Sequence, residues 1–269
     1  MIFLFIILFC LINFISSYTC RPIIHHIKKF DDESLKSVNA IEPYYKSKKN
    51  TSCCLFFTGG NSFIIPEIYN NFFNKLASNQ ISVYTPEFGY KNMDKLIEIL
   101  SNEYKEVIFI GHSSGSSTAL NKHNQLVKKI ILLDPVNTNI FSNKKKFSLK
   151  KINSIMFINA AKSYKINYDP FGLPFIPFLT INDNLIENTN TYKKIYIEAE
   201  DFGHCDILNK PYSNLMHKSR ISVGNKDRSK KSLDEYHIWM SDIISLFING
   251  KFKKFNKVSK NINCKIKKI

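Results

Sequence analysis

The chain has 269 residues, 44% hydrophobic and 13% aromatic, which is enough apolar side chain for one sizeable core and too much for a chain disordered throughout. Its formal net charge is +16, yet 35 of the 38 basic residues are lysine, the only arginines being Arg21, Arg220 and Arg228. Nucleic-acid and phosphate recognition favours the planar arginine fork, so nucleic acid is not expected as a partner.

Residues 1–19, "MIFLFIILFCLINFISSYT", form an apolar run without a charged side chain that ends in small polar residues. This reads as a secretory signal peptide, with an uncleaved membrane anchor as the alternative. Residues 20–50 mix basic and acidic side chains, with a helix expected near 32–42 and a stop at Pro43. Asn50-Thr51-Ser52 is a glycosylation sequon, consistent with secretion. Of six cysteines, Cys10 lies in the signal, so a mature chain keeps Cys20, Cys53, Cys54, Cys205 and Cys264. Adjacent Cys53 and Cys54 point to opposite faces of a strand, and bridges to distant partners such as Cys20 are expected in preference to a mutual disulfide. No metal spacing emerges, and no cofactor is implied.

From Cys53 onward short apolar runs alternate with amphipathic stretches, the pattern of an α/β protein with a mostly parallel sheet flanked by helices. Strands are predicted at 53–57, 81–85, 106–111, 128–134, 154–160 and 193–199, where β-branched and aromatic residues cluster in runs of strand length. Helices are predicted at 65–78, 92–104, 114–123 and 232–248. The last starts on a Ser232/Glu235 capping box and carries Ile238, Trp239, Ile243, Ile244 and Phe247 on its apolar face. The long connections 135–153 and 161–192 have the length of functional loops. The second contains the apolar, proline-rich "DPFGLPFIPFLTI" (169–181). Residues 251–269 hold eight lysines and no acid. They read as a flexible basic tail with a possible attraction to an anionic membrane surface, leaving 20–250 as a single folded domain.

The chemistry is concentrated where "EVIFIGHSSGSSTAL" (106–120) turns from strand to helix. A strand running straight into a helix forces the residue at the apex into a strained conformation, and small neighbours relieve the crowding. Gly111 and Gly115 play that part and lift the Ser113 hydroxyl to the carboxyl end of the sheet. The Ser114 amide, at the helix N-terminus, can face an oxyanion. In "FFTGGNS" (56–62) the amide of Gly60 or Asn61 is the second donor. A hydroxyl nucleophile needs a base and the base an orienting acid. His204, in "EDFGHCDIL" after the last strand, is the base; His112 is assigned to packing. Asp134, closing "KKIILLD", is the favoured acid, and Asp169 in the long loop is the alternative. Asp201 and Asp206 flank His204 too closely to orient it and read as turn or cap residues.

"TGGNS", "GHSSGS", "LLDPV" and "DFGHCDIL" occur across residues 52–248 in an order that resembles the α/β-hydrolase superfamily. Within it, the Asp-Pro-Val and the Gly-His-x-Asp are similar to the chlorophyllase and platelet-activating-factor-acetylhydrolase-like branches. The resemblance implies a triad of Ser113, Asp134 and His204. Ser114 and Ser116 depart from the usual chlorophyllase elbow, so chlorophyll is not implied as substrate, and Thr58-Gly59 replaces the familiar His-Gly oxyanion motif. The expectation is a secreted serine hydrolase of carboxylic esters, lipid or acyl esters among them. The alternative is a catalytically silent binding protein of the same fold that works through its basic surface or tail.

Overall fold

A computed structural model describes residues 38–43, 51–60, 64–87, 89–136, 147–148, 152–165, 189–191, 193–218, 222–225 and 229–268. Residues 1–19, read as a signal, together with Cys20, Asn50 of the sequon, Asn61, Asp169 and residues 169–181, lie outside the described residues.

Six parallel strands form the centre of the sheet: β2 (Ser52–Phe57), β3 (Ile81–Pro86), β4 (Glu106–His112), β5 (Lys129–Leu133), β7 (Ser154–Ala160) and β9 (Lys194–Ala199). Antiparallel β1 (Val38–Ile41) and β10 (Cys264–Lys268) close the two edges. The order is β1-β3-β2-β4-β5-β7-β9-β10, and β6 (Phe147–Ser148) pairs separately with β8 (Thr189–Asn190). The helices are α1 (Asn70–Ser78), α2 (Met93–Glu103), α3 (Gly115–Lys122), α4 (Lys210–Lys218), α5 (Lys230–Ile248) and the short α6 (Phe255–Val258).

Both faces of a central parallel strand are covered, so these segments read as continuous apolar runs while their side chains divide by period two. Cys54, Phe56, Ile108, Ile110, Ile131, Leu133, Met156 and Ile158 face one way, against α1 and α5. Cys53, Leu55, Phe57, Val107, Phe109, Ile130, Leu132, Ile155 and Phe157 face the other, against α2 and α3. Each such side chain contributes about 1.5–3 kcal/mol through its burial. The six central strands fall where the apolar runs predict them.

Four expectations are corrected. Residues 38–41, expected within a helix, are a strand, because they complete the edge beside β3 in register Val38–Pro86 to Ile41–Val83. Cys53 and Cys54 are free thiols rather than disulfide partners. They do point to opposite faces, but each is sealed in a different half of the core, and burial pushes both thiols up, away from reactivity. Helix α5 begins earlier than the Ser232/Glu235 box suggests: Ser229 is the cap, accepting the Ser232 amide at 3.0 Å, while Ile238 lies on the exposed side. The segment after residue 250 is folded and not a flexible tail. Its lysines alternate with Phe252, Phe255, Val258, Ile262 and Ile266, which pack on the α1–α5 core. Trp239 Nε1 donates to Ser259 Oγ at 3.0 Å, and β10 adds to β9 with Lys265 and Lys267 on either side of Ile266. Lysines on an edge strand discourage further strand addition. The domain therefore runs through β10.

His237 on α5 is fully buried and donates its Nε2 proton to the Asp206 carbonyl at 3.0 Å. Burial lowers its pKa from the ordinary 6.5 to about 4. The folded value lies below the unfolded one, so the unfolded chain takes up the proton first as pH falls. This contribution to stability is complete above the unfolded value, erodes as pH falls, and is gone at about pH 4. Between pH 7 and pH 5 this group alone removes about 2 kcal/mol. Urea midpoints at the two pH values should show that drop, reduced in His237→Gln; an equal drop in both proteins would contradict it.

Candidate active site

The site is built at the carboxyl ends of β4, β5, β7 and β9. Strand β4 ends at His112, and Ser113 turns into α3 with φ of 56°, a left-handed conformation that a side chain rarely adopts. The turn is held by neighbours. The Ser113 amide donates to the Leu133 carbonyl at 3.0 Å, and its carbonyl accepts from Ser116 at 3.1 Å and Val136 at 3.3 Å. Two glycines make it possible. A Cβ on Gly115 would stand 2.2 Å from the Phe57 carbonyl oxygen, and one on Gly111 would stand 2.6 Å from the Ser116 Cα. Both are below any tolerable approach, so α3 can reach β2 and β4 only through hydrogen at these positions.

Asp134 follows β5 and is also left-handed, with φ of 44°. Strain at two non-glycine residues of one site is held by the surrounding structure and is the usual mark of a working site. The Asp134 carboxylate is cradled from β7 and the turn after it: the Ala160 amide donates to Oδ1 at 3.0 Å, and Ser163 Oγ donates to Oδ2 at 2.6 Å. Oδ2 also accepts from His204 Nδ1 at 2.5 Å, and His204 Nε2 lies 2.9 Å from Ser113 Oγ. An ionised carboxylate only accepts, so Nδ1 carries the ring proton and Nε2 presents a lone pair to the serine hydroxyl. All three side chains are buried, with 4–6% of their surface exposed.

His204 is delivered by a loop anchored on Asp206. That fully buried carboxylate accepts from the Gly203 and Asn225 amides at 2.9 Å on Oδ2, and from Ser213 Oγ and His217 Nε2 on Oδ1. The Gly203 bond is the turn role assigned to Asp206 from the sequence; the rest ties the loop to α4 and to 222–225. Asp201 is on the surface beside Lys162. His112 does pack, stacking on His204 with centroids 4.8 Å apart, but it also makes two hydrogen bonds described below. Gly60 is exposed with φ of 61°, and a Cβ on neighbouring Gly59 would stand 3.4 Å from Ser113 Cβ, so this segment borders Ser113. The Gly59 amide itself is committed to Tyr69 Oη at 3.1 Å.

Sequence reasoning missed Ser163, Ala160 and Tyr69. Nothing local marks them: a serine after a strand, an amide, and a tyrosine ending a short 3₁₀ turn gain their roles only across 10–43 residues of chain. A cavity of about 830 Å³ lies at the opposite end of the sheet, where Ser52, Ile81, Glu106 and Lys129 begin their strands. It holds no nucleophile beside a base. Lys105 and Lys251 follow the carboxyl ends of α2 and α5, and Lys129 Nζ, paired with Glu106 at 2.9 Å, donates to the Ile248 carbonyl at the end of α5, where positive charge offsets the dipole.

A mostly parallel sheet with its serine at a glycine-flanked elbow, an acid on the next strand and a histidine after the last parallel strand defines the α/β-hydrolase fold. Among solved structures the chain is similar to the Pyrobaculum calidifontis esterase, with a TM-score of 0.50, 10% identity, and coverage of 77% of this chain and 81% of that one. Similarity extends to the esterase domain of a Rhodothermus marinus protein (0.40, 12%, 70% and 93%). A soluble variant of monoglyceride lipase from Saccharomyces cerevisiae gives 0.43, 10%, 67% and 87%. No family model matches the sequence, and no curated protein does. The first likeness establishes the fold; what the chain does rests on its own site.

Proposed function

We propose that this protein is a serine hydrolase of carboxylic esters, carried by the continuous contact from Asp134 through His204 to Ser113 at a strained elbow. His204 Nε2 takes the Ser113 proton as Oγ attacks the ester carbonyl. Asp134 holds the imidazole in the accepting tautomer and stabilises its positive charge, and Ala160 and Ser163 keep the carboxylate aimed. The tetrahedral oxyanion is received by backbone amides of Ser114, at the start of α3, and Gly60, with Asn61 as the sequence alternative. The imidazolium protonates the leaving alcohol, and water, deprotonated by the same ring, frees the acyl group. The acid is Asp134, with Asp169 as the rival in the long loop. The structural neighbour described as an esterase supports the reading.

The apolar 169–181 stretch favours acyl or lipid esters, and the 1–19 run favours secretion, with a retained anchor as the alternative. Lys251, Lys253, Lys254, Lys257 and Lys260 are all exposed, which suits weak contact with an anionic membrane surface. A fluorophosphonate should label wild-type protein on the peptide containing Ser113, and turnover of p-nitrophenyl esters should depend on acyl length. Ester presented in anionic vesicles should turn over faster than in neutral ones, with the difference removed by salt. A folded sample that neither labels nor hydrolyses any ester would favour the binding-protein reading instead. Sequencing the mature N-terminus tests secretion, since survival of Met1 would indicate the anchor.

A further inference from the structure

We propose that Tyr69 and His112 are positioning residues that lock the oxyanion loop to the histidine loop, so that the acceptor of the serine proton and the receptor of the negative charge are set by one hydrogen-bonded relay. The inference rests on the reading of Ser113, His204 and Asp134 as a triad.

The relay has one possible direction. The His204 main-chain oxygen can only accept, and His112 Nε2 lies 3.1 Å from it, so Nε2 must carry a proton. Complete burial and the neighbouring His204 ring keep His112 well below the ordinary histidine range, so the ring is neutral and Nδ1 holds a lone pair. Tyr69 Oη lies 2.8 Å from Nδ1 and must therefore donate to it. Burial pushes the Tyr69 phenol up, so that proton is always present. The Tyr69 oxygen then accepts the Gly59 amide at 3.1 Å. The chain runs Gly59 N–H to Tyr69 O–H to His112 Nδ1, and His112 Nε2–H to the His204 carbonyl, with no donor or acceptor used twice.

What this joins is functional. Gly59 precedes the proposed donor Gly60 and borders Ser113, while His204 is fixed from one side by Asp134 and from the other by this bond through its own main chain. The His112 ring, stacked on the His204 ring with an interplanar angle of 30°, limits its swing. Further along the same segment Asn209 donates to the Ile68 and Glu67 carbonyls at 2.7 and 2.9 Å, and the relay is the link that reaches Gly59 and His204 themselves. Without the Tyr69 hydroxyl, Gly59 N–H loses its acceptor and His112 is free to move its proton to Nδ1. That shift would set the Nε2 lone pair against the His204 carbonyl.

The test is steady-state hydrolysis of a p-nitrophenyl ester by Tyr69→Phe, His112→Leu and His112→Gln. Tyr69→Phe should lower kcat by about 10–100-fold, the scale of a small misplacement of reacting groups, with KM changed by less than about threefold. His112→Gln keeps a donor for the His204 carbonyl and should recover most of what His112→Leu loses. Near-UV circular dichroism confirms that each variant is folded; if His112→Leu is not, the comparison of His112→Gln with Tyr69→Phe stands by itself. Tyr69→Phe within twofold of wild type, or a loss that falls on KM alone, overturns the relay. Wild-type protein that fails to label with fluorophosphonate instead overturns the triad reading beneath it.

Discussion

Ser113→Ala is expected to lower kcat/KM for a p-nitrophenyl ester by about 10⁵-fold, roughly 7 kcal/mol of transition-state stabilisation, and to abolish fluorophosphonate labelling. The size follows from the site: Ser113 Oγ is held 2.9 Å from His204 Nε2, the ring nitrogen that presents a lone pair. With a methyl group in its place the oxyanion amides and the binding surface remain, so a residual rate above that of water is expected. Stability should fall by no more than about 1–3 kcal/mol, because the change removes one hydrogen bond and leaves the buried His204 Nε2 without its partner. Thermal melting of the variant separates inactivation from unfolding. If more than a hundredth of the activity survives in a folded sample, Ser113 is not the nucleophile.

Asp134→Asn is expected to lower kcat by about 10⁴-fold with little change in KM. Asparagine tolerates the left-handed backbone as well as aspartate does, and its oxygen can still accept the Ala160 amide, so the fold should survive. The change lies in the proton. An amide NH₂ facing His204 Nδ1 demands a lone pair there, which moves the ring proton to Nε2, and a protonated Nε2 cannot take the proton from Ser113. Asp169→Asn should leave kcat within a few-fold of wild type. The reverse pattern, with Asp169→Asn inactive and Asp134→Asn active, would move the acid to Asp169 and sink the role described for Asp134.

The parts of this molecule legible in its sequence are those whose cause is local. The central strands show because a strand buried on both faces must be apolar over its whole length. The elbow shows because Gly111 and Gly115 flank Ser113 directly in the chain, although the clash that Gly115 avoids is with the Phe57 carbonyl on β2. The segment after residue 250 reads as a tail because its eight lysines hide a spaced set of apolar residues, whose packing on α1 and α5 and whose pairing with β9 leave no mark in its own composition. Residues 38–41 show no strand signal of their own, since the edge they complete belongs to β3. The Ser232/Glu235 box is a genuine capping pattern, overruled because Ser229 starts the helix one turn earlier.

By itself the sequence determined an α/β sheet, a serine between glycines at a strand-to-helix turn, and a histidine after the last parallel strand, because turn chemistry and hydrophobic period are set by neighbours in the chain. Only the tertiary structure decided that Asp134 meets His204, that Ser163 and Ala160 hold that carboxylate, and that Tyr69 and His112 tie two loops together. Hydrogen bonds between residues 26–92 positions apart leave no local trace; they exist because the parallel strands bring their carboxyl ends to one end of the sheet.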